Sequence, residues 1–287
     1  MKRRNFISSA ISGSAALAAG AVTAQSNSTT KDFILKNNIN HSVCQWCFND
    51  YPLEEFLAIL KDLGIKAIDL ITPKDFPLLK KYDIQCTMCT GPNISLTEGW
   101  NDPQYHEDLI RTYKELIPQV ADAGFTNLIC FSGNRRGMND YVGLHNCVEG
   151  LSQILPLAEQ YGVVLQMELF NQQNHPDYMC DSSIWGVELC RRLGTDNFKL
   201  LYDIYHMQVQ EGDIINTIKN YHPYFGHYHT AGVPGRNEID DTQELYYPAI
   251  MKTILETGFK GHVAQEFIVT WDDKIAALKD AFLRCDV

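Results

Sequence analysis

The sequence predicts a single-domain (β/α)₈ barrel, the TIM-barrel architecture, and three observations carry that expectation. Eight short β-branched or apolar runs alternate with longer segments of helical period from about residue 41 onward. Glycines recur just past the helical segments, at Gly64, Gly124, Gly162, Gly194 and Gly258, as a chain punctuating αβ turns would place them. Without residues 1–24 the chain has 263 residues, about 33 per unit, close to the roughly 250 that eight βα units require.

The first residues stand outside this pattern. Lys2, Arg3 and Arg4 precede Asn5-Phe6-Ile7, a dilute apolar run to Val22 and the small residues Val22-Thr23-Ala24. Residues 1–24 therefore read as a twin-arginine-type signal peptide that exports the protein, already folded, to the periplasm. The apolar run is too short and dilute for a bilayer span of about 20 residues, so no stable membrane anchor is expected after signal removal. Residues 25–39, polar and Ser/Thr/Asn-rich, read as a linker, and residues 40–287 as the barrel.

Composition narrows the function classes. Of 287 residues 45% are apolar, enough for a large core, and 24 basic against 35 acidic residues give a formal charge of −11. Removing residues 1–24, which carry three basic and no acidic residues, takes this to −14. With no basic block to follow a phosphate backbone, a nucleic-acid partner is not expected. Nine cysteines, an odd number in a long chain, do not make a disulfide framework.

The eight runs read as strands are 41–47, 66–71, 84–89, 126–131, 163–168, 199–203, 225–229 and 262–267. Helical patterns between them include Leu53 to Leu63, Glu107 to Ala123, Leu144 to Tyr161, Ile184 to Leu193 and Ile250 to Thr257. An open doubly wound sheet is the alternative, but its nucleotide-binding form needs a Gly-rich loop after the first strand. Cys47-Phe48-Asn49-Asp50-Tyr51-Pro52 is not one.

In such a barrel the chemistry gathers at the C-terminal ends of the strands. Strand 5 closes on Glu168, strand 6 on Asp203, strand 7 on His229 and strand 8 on Glu266. A single acid at a strand end is commonly a helix cap, and a single His commonly a satisfied core group. Four at corresponding positions of consecutive units are a different matter, because three converging carboxylates repel unless a cation joins them. Three carboxylates and one imidazole make a mainly oxygen site, suited to one Mn²⁺ or Mg²⁺ ion, with Co²⁺ as a further candidate. A phosphodiesterase with several zinc ions on a related barrel would require extra His and Asp ligands at the ends of the earlier strands, and strands 2 to 4 end at Ile71, Cys89 and Phe131. The pairs Cys44/Cys47 and Cys86/Cys89 fall within predicted strands, where positions i and i+3 face opposite ways, so they read as small core hydrophobes rather than a zinc site.

These residues make the chain resemble the xylose isomerase-like barrel superfamily, in its hydroxypyruvate isomerase and ketose 3-epimerase branch, over nearly all of residues 40–284. Met167-Glu168-Leu169-Phe170-Asn171 is similar to the strand 5 motif, Asp203-Ile204-Tyr205-His206 to that of strand 6, and Gly226-His227-Tyr228-His229 with Val233-Pro234-Gly235-Arg236 to the hydroxypyruvate isomerase form of strand 7. The resemblance implies that Glu168, Asp203, His229 and Glu266 hold the metal and that His206 and Arg236 hold substrate oxygens. Hydroxypyruvate isomerases commonly carry Gln as third ligand and Pro after the first Glu; His229 and Leu169 stand there instead, and His at that place is closer to the epimerases.

The chemistry such a site suits is proton abstraction beside a carbonyl, with the metal stabilising an enediolate and Glu168 and Glu266 acting as the acid–base pair. The expected partner is a small sugar or hydroxy-keto acid, with a hydroxypyruvate isomerase-like reaction first and 3-epimerisation second. A metal-independent glycoside hydrolase using the same two glutamates would leave Asp203 and His229 without a role, and a non-catalytic sugar-binding barrel would not need the proton carriers. Elsewhere, Ser132-Gly133-Asn134-Arg135-Arg136-Gly137 follows strand 4 and could line the rim but reads first as a solvated loop, Trp46 and Phe48 read equally as an apolar wall or as core, and the His175-Pro176 loop reads as a lid. No oligomeric state follows from the sequence. The export reading predicts that changing Arg3 and Arg4 to Lys retains the precursor in the cytoplasm, because the pair is read as an address rather than as charge; cell fractionation checks it.

Overall fold

The computed structural model describes residues 33–287, so the signal peptide expected at residues 1–24 lies outside the described residues. Eight strands follow in chain order: β1 (Asn40–Val43), β2 (Ala67–Ile71), β3 (Gln85–Cys89), β4 (Asn127–Cys130), β5 (Val164–Glu168), β6 (Phe198–Asp203), β7 (Phe225–Thr230) and β8 (His262–Gln265). They hydrogen-bond in the order β1-β8-β7-β6-β5-β4-β3-β2, and every pairing is parallel. A parallel bridge between Cys44 and Asp69 brings β1 and β2 together and nearly closes the ring. The β3–β4 seam has a single paired position, Cys89 with Leu128, and is helped by the Asn127 amide, which donates to the Thr87 carbonyl at 2.8 Å. The expected (β/α)₈ barrel is the observed fold.

The surrounding helices are α1 (Leu53–Asp62), α2 (Phe76–Tyr82), α3 (His106–Asp122), α4 (Asp140–Leu151), α5 (Leu155–Tyr161), α6 (Ser183–Leu193), α7 (Ile204–Gln210), α8 (Ile214–Tyr221), α9 (Tyr247–Glu256) and α10 (Lys274–Cys285). Local chemistry sets several of their ends. The Ser182 side chain accepts from the Trp185 N–H to start α6, and Gly194, at φ 63°, ends it in the left-handed conformation that glycine adopts without strain. The single helix expected from Leu144 to Tyr161 is instead two. Pro156 cannot donate back to residue 152 and its ring crowds that carbonyl, so the chain breaks between Leu151 and Leu155.

Strand alternation sorts the side chains into two environments. Leu165 and Met167 of β5, Leu200 and Tyr202 of β6 and Tyr228 of β7 join the main core between strands and helices. The intervening Gln166, Glu168, Leu201, Asp203, His227 and His229 occupy the other face of the same strands. Inside the barrel the apolar packing is small: Met88, Ile129 and Leu201 form a separate cluster, with Leu70 and Phe131 against it. The inner face near the strand ends is therefore polar, and every polar group there needs a partner.

Two strand boundaries differ from expectation by more than one residue. The first strand stops at Val43 rather than residue 47, and Gln45–Phe48 form a 3-10 turn. An apolar run does not distinguish a strand from a turn packed beneath the core, and Cys44 and Cys47 consequently do not share a strand. The eighth strand stops at Gln265 instead of 267. All nine cysteines are free thiols and eight are buried. Residues 33–39 lie against the C-terminal segment, with the Asn38 amide donating to the Val287 carbonyl at 2.9 Å and Phe33 packed 6.3 Å from Phe282. No helix among the described residues is long and apolar enough to cross a membrane.

One half-buried base makes the fold acid-sensitive. Burial, with His227 and His41 nearby, pushes the His262 imidazole down to about 4, only partly opposed by Asp69. An unfolded His titrates near 6.5, so between these values the unfolded chain holds the extra proton. Stability is full above pH 6.5 and falls as pH drops toward 4. His262→Gln is expected to remove up to about 2 kcal/mol of that loss, read from urea unfolding across this pH range.

Candidate functional site

Four consecutive strands deliver one ligand-capable side chain each to the same place. Glu168 and Asp203 are the last residues of β5 and β6, His229 lies in β7, and Glu266 follows β8 with its N–H still donating to the Thr230 carbonyl at 2.9 Å. Register pairs Asp203 directly with His229. All four side chains are buried, and one ligand atom from each lies within 4.8 Å of the others.

Their contacts form one network. His229 Nδ1 is 2.8 Å from Glu266 Oε2 and 3.4 Å from Glu168 Oε1. Arg236 Nη2 donates to Glu266 Oε2 at 2.6 Å and to Asp203 Oδ2 at 3.2 Å, and Trp46 Nε1 donates to Glu266 Oε1 at 2.8 Å. Glu168 Oε1 is buried without a hydrogen-bond partner, an orphaned anionic oxygen facing an imidazole nitrogen. That orphan and the oxygen-rich donor set fit a hard divalent cation.

Burial and charge drive the acids apart. Burial raises the Glu168 carboxyl, with repulsion from Glu266 adding to it, and pushes the Asp203 carboxyl up to about 7 despite Arg236. Glu266 is also buried, yet His229 and Arg236 hold it well below the usual carboxylate range. Two glutamates in one site thus have opposite proton affinities, the arrangement that lets one accept while the other donates.

His206 sits on α7, whose first turn is capped by Asp203 accepting from the His206 N–H at 3.2 Å. The Asn171 backbone N–H at 3.3 Å and its side-chain amide at 2.8 Å both donate to His206 Nδ1. Nδ1 is therefore the acceptor and the ring proton lies on Nε2, which is buried, has no hydrogen-bond partner and stands 3.7 Å from Asp203 Oδ2. Burial, with Arg236 nearby, holds the ring well below its usual range, so it is a neutral donor.

Arg236 lies between two aromatic faces, its guanidinium carbon 5.4 Å from the Trp46 ring centre and 5.5 Å from that of Tyr205. Its Nε is buried and has no partner. Glu168, Glu266 and Arg236 line a cavity of about 310 Å³ together with Leu70, Phe131 and Phe170. His175 reaches the same cavity, its ring 4.5 Å from Phe170.

All six residues singled out from the sequence, Glu168, Asp203, His206, His229, Arg236 and Glu266, meet here. The segment from Ser132 to Gly137 is only partly the solvated loop expected: Arg136 and Gly137 are exposed, but its first half is not. Ser132 is buried, its N–H donates to the Tyr178 hydroxyl at 3.0 Å, and that hydroxyl donates to the Glu168 carbonyl at 2.9 Å. Arg135 is held by the Met179 carbonyl at 3.1 Å and Asp181 at 2.9 Å. The loop braces the end of β5, a role its Gly and Arg content did not signal. Trp46, expected as an apolar wall, is also a hydrogen-bond donor to Glu266. Asp69, overlooked in the sequence, lies fully buried in β2 within 3.2 Å of His229. Its signal was a lone carboxylate inside the otherwise apolar run Ala67-Ile68-Asp69-Leu70-Ile71.

A family model described as xylose isomerase-like TIM barrel matches residues 46–282. The chain belongs to that family. Among curated members, a 2-oxo-tetronate isomerase of Cupriavidus necator is 32% identical over 120 residues, 42% of this chain and 46% of that protein. The hydroxypyruvate isomerase of Escherichia coli is 30% identical over the same shares. This chain thus aligns with less than half the length of either relative. A D-psicose 3-epimerase from Clostridium cellulolyticum superposes with a TM-score of 0.70 at 16% identity, covering 85% of this chain and 90% of that one, and so shares the family fold.

The turn that carries Arg236 depends on a glycine. The Arg236 N–H donates to the Gly232 carbonyl at 2.9 Å, the Gly232 N–H donates to Asn237 at 2.8 Å, and a Cβ at Gly232 would collide with the Glu238 carbonyl. Gly232→Ala is expected to destabilise the protein by about 1–3 kcal/mol, measured by denaturant unfolding.

Proposed function

We propose that this protein is a divalent-metal-dependent isomerase of small hydroxy-carbonyl compounds, hydroxypyruvate isomerase-like in its reaction, and exported to the periplasm by the twin-arginine route. One observation carries the chemistry: Glu168 and Glu266 flank His229 in a buried cluster that also contains Asp203, with one ligand atom from each within 4.8 Å of the others. Glu168, Asp203, His229 and Glu266 would hold the cation, with Mn²⁺ or Mg²⁺ best matched to the donors. When bound, the cation supplies Lewis-acid stabilisation of the negative charge that develops beside the carbonyl.

The chain's own groups do the remaining work. One glutamate takes the carbon-bound proton and the other returns one; Glu168 Oε1 is without a hydrogen-bond partner, whereas both oxygens of Glu266 are engaged by Trp46, Arg236 and His229, so its share in the transfer requires one of these bonds to yield. His206 donates through Nε2 to a substrate hydroxyl or carbonyl oxygen. Arg236, pinned between Trp46 and Tyr205, offers its unpartnered Nε to a substrate oxygen, and its charge favours a carboxylate. The names of the similar curated proteins, hydroxypyruvate isomerase and 2-oxo-tetronate isomerase, support an acidic substrate.

Epimerisation at a single carbon is the second reading, favoured by His229 at the third ligand position and by glutamates arriving from β5 and β8. Incubation of Mn²⁺-loaded protein with hydroxypyruvate and with a panel of ketoses in deuterated water tests both. Label at the carbon beside the carbonyl is expected, and the substrate that acquires it decides between them. Glu168→Gln and Glu266→Gln should each keep at least part of the metal while turnover falls about 10²-fold or more. Wild-type rates in both metal-bound variants would remove the acid–base roles.

A further inference from the structure

Asp69 is the one acid of the barrel interior that the proposed reaction does not use, and its surroundings give it a definite task. It projects from the middle of β2, fully buried, and both of its oxygens are saturated. Oδ1 accepts from Ser42 Oγ of β1 at 2.7 Å and from the Thr87 hydroxyl of β3. Oδ2 faces two imidazoles of β7, His227 Nε2 at 2.6 Å and His229 Nε2 at 3.2 Å. A carboxylate only accepts, so both imidazole nitrogens turned to it must carry their protons.

For His229 this has a consequence at the other side of the ring. The other polar neighbour of Nε2 is the buried Cys44 thiol, 3.7 Å away and a weak partner. Asp69 therefore governs that nitrogen, and Nδ1, 2.8 Å from Glu266 Oε2 and 3.4 Å from Glu168 Oε1, donates to Glu266 until a cation takes the place of its proton. A histidine that ligates a metal through one nitrogen is oriented, and made more basic, by a carboxylate on the other.

We propose that Asp69 is the positioning residue of the cation site, holding the His229 proton on Nε2 so that Nδ1 is the nitrogen that gives up its proton to a cation shared with Glu168, Asp203 and Glu266. The inference rests on the reading of these four as a divalent-cation site. Asp69 acts across the barrel from β2, a strand that brings no ligand of its own, and through Ser42 and Thr87 it ties β1 and β3 to the orientation of one ring.

The test uses the full-length protein and does not depend on turnover. In ¹⁵N-histidine-labelled protein loaded with Mg²⁺, long-range proton–nitrogen correlation should show His229 protonated at Nε2 and unprotonated at Nδ1, with the signal assigned by its loss in His229→Asn. Mn²⁺ binding, followed by the electron spin resonance of the free ion, should weaken about 10–100-fold in Asp69→Asn. Ser42→Ala disturbs the same buried network without touching Oδ2, and should change Mn²⁺ affinity by less than about threefold while lowering the unfolding temperature. A proton on His229 Nδ1, or Mn²⁺ affinity equal in Asp69→Asn and wild type, overturns the role of Asp69 and leaves the cation site standing. Equal loss of affinity in Asp69→Asn and Ser42→Ala overturns it as well, because the effect is then general to the network. If wild type binds no Mn²⁺, the cation site itself falls and Asp69's role with it. Where Asp69→Asn does not fold, the tautomer in wild type decides alone.

Discussion

Three carboxylates desolvated at one end of a barrel are the constraint on which the rest of this structure depends. Glu168, Asp203 and Glu266 are all buried within one cluster, and charges so placed are strongly destabilising unless countercharge and hydrogen bonds surround them. The chain answers with His229 and Arg236 among the acids and Trp46 on the outer oxygen of Glu266. What it leaves unanswered is Glu168 Oε1, and that asymmetry makes the cluster a place for a ligand rather than a closed ion-pair knot.

The scaffold serves that cluster at several removes. Alternation along β5, β6 and β7 sends Glu168, Asp203 and His229 inward while their neighbours Met167, Tyr202 and Tyr228 anchor the strands in the main core. The end of β5 is held from behind by Ser132 and Tyr178, and the start of α7 is fastened by Asp203 itself. Asn171 fixes the His206 tautomer with two donors that arrive from the turn after Glu168. Each reacting group thus has a second residue that determines its direction, as precise site geometry requires. The partly apolar lining at Leu70, Phe131 and Phe170 lowers the effective dielectric beside these groups and strengthens every charge interaction among them.

Residues 41–287 made most of this legible in one dimension. The eightfold alternation fixed the barrel, and the spacing of acids and His at strand ends picked out Glu168, Asp203, His229 and Glu266, because a parallel strand's last residue is a topological address. The motifs around Asp203 and Gly235 likewise pointed to His206 and Arg236. Less legible were residues whose roles depend on which strands become neighbours. Asp69 is 160 residues from His229, Trp46 is 220 from Glu266, and Ser132 meets Tyr178 only when the loops after β4 and β5 pack together.

What the amino-acid sequence determined by itself was therefore the periodicity and its punctuation: which segments are strands, where glycine ends a helix, and which chemical groups close each unit. These depend on local backbone preference and on burial patterns repeated every few residues. Pro156 accounts locally for the break at Ser152–Ile154, and tertiary structure alone decided the turn at Gln45–Phe48 that lifts Trp46 to Glu266 and the choice of nitrogen that His206 and His229 present to the site. A helix pattern can run on across a proline, and an apolar run can be strand or turn. A tautomer is set by whichever donor or acceptor the closed barrel brings to the opposite side of the ring.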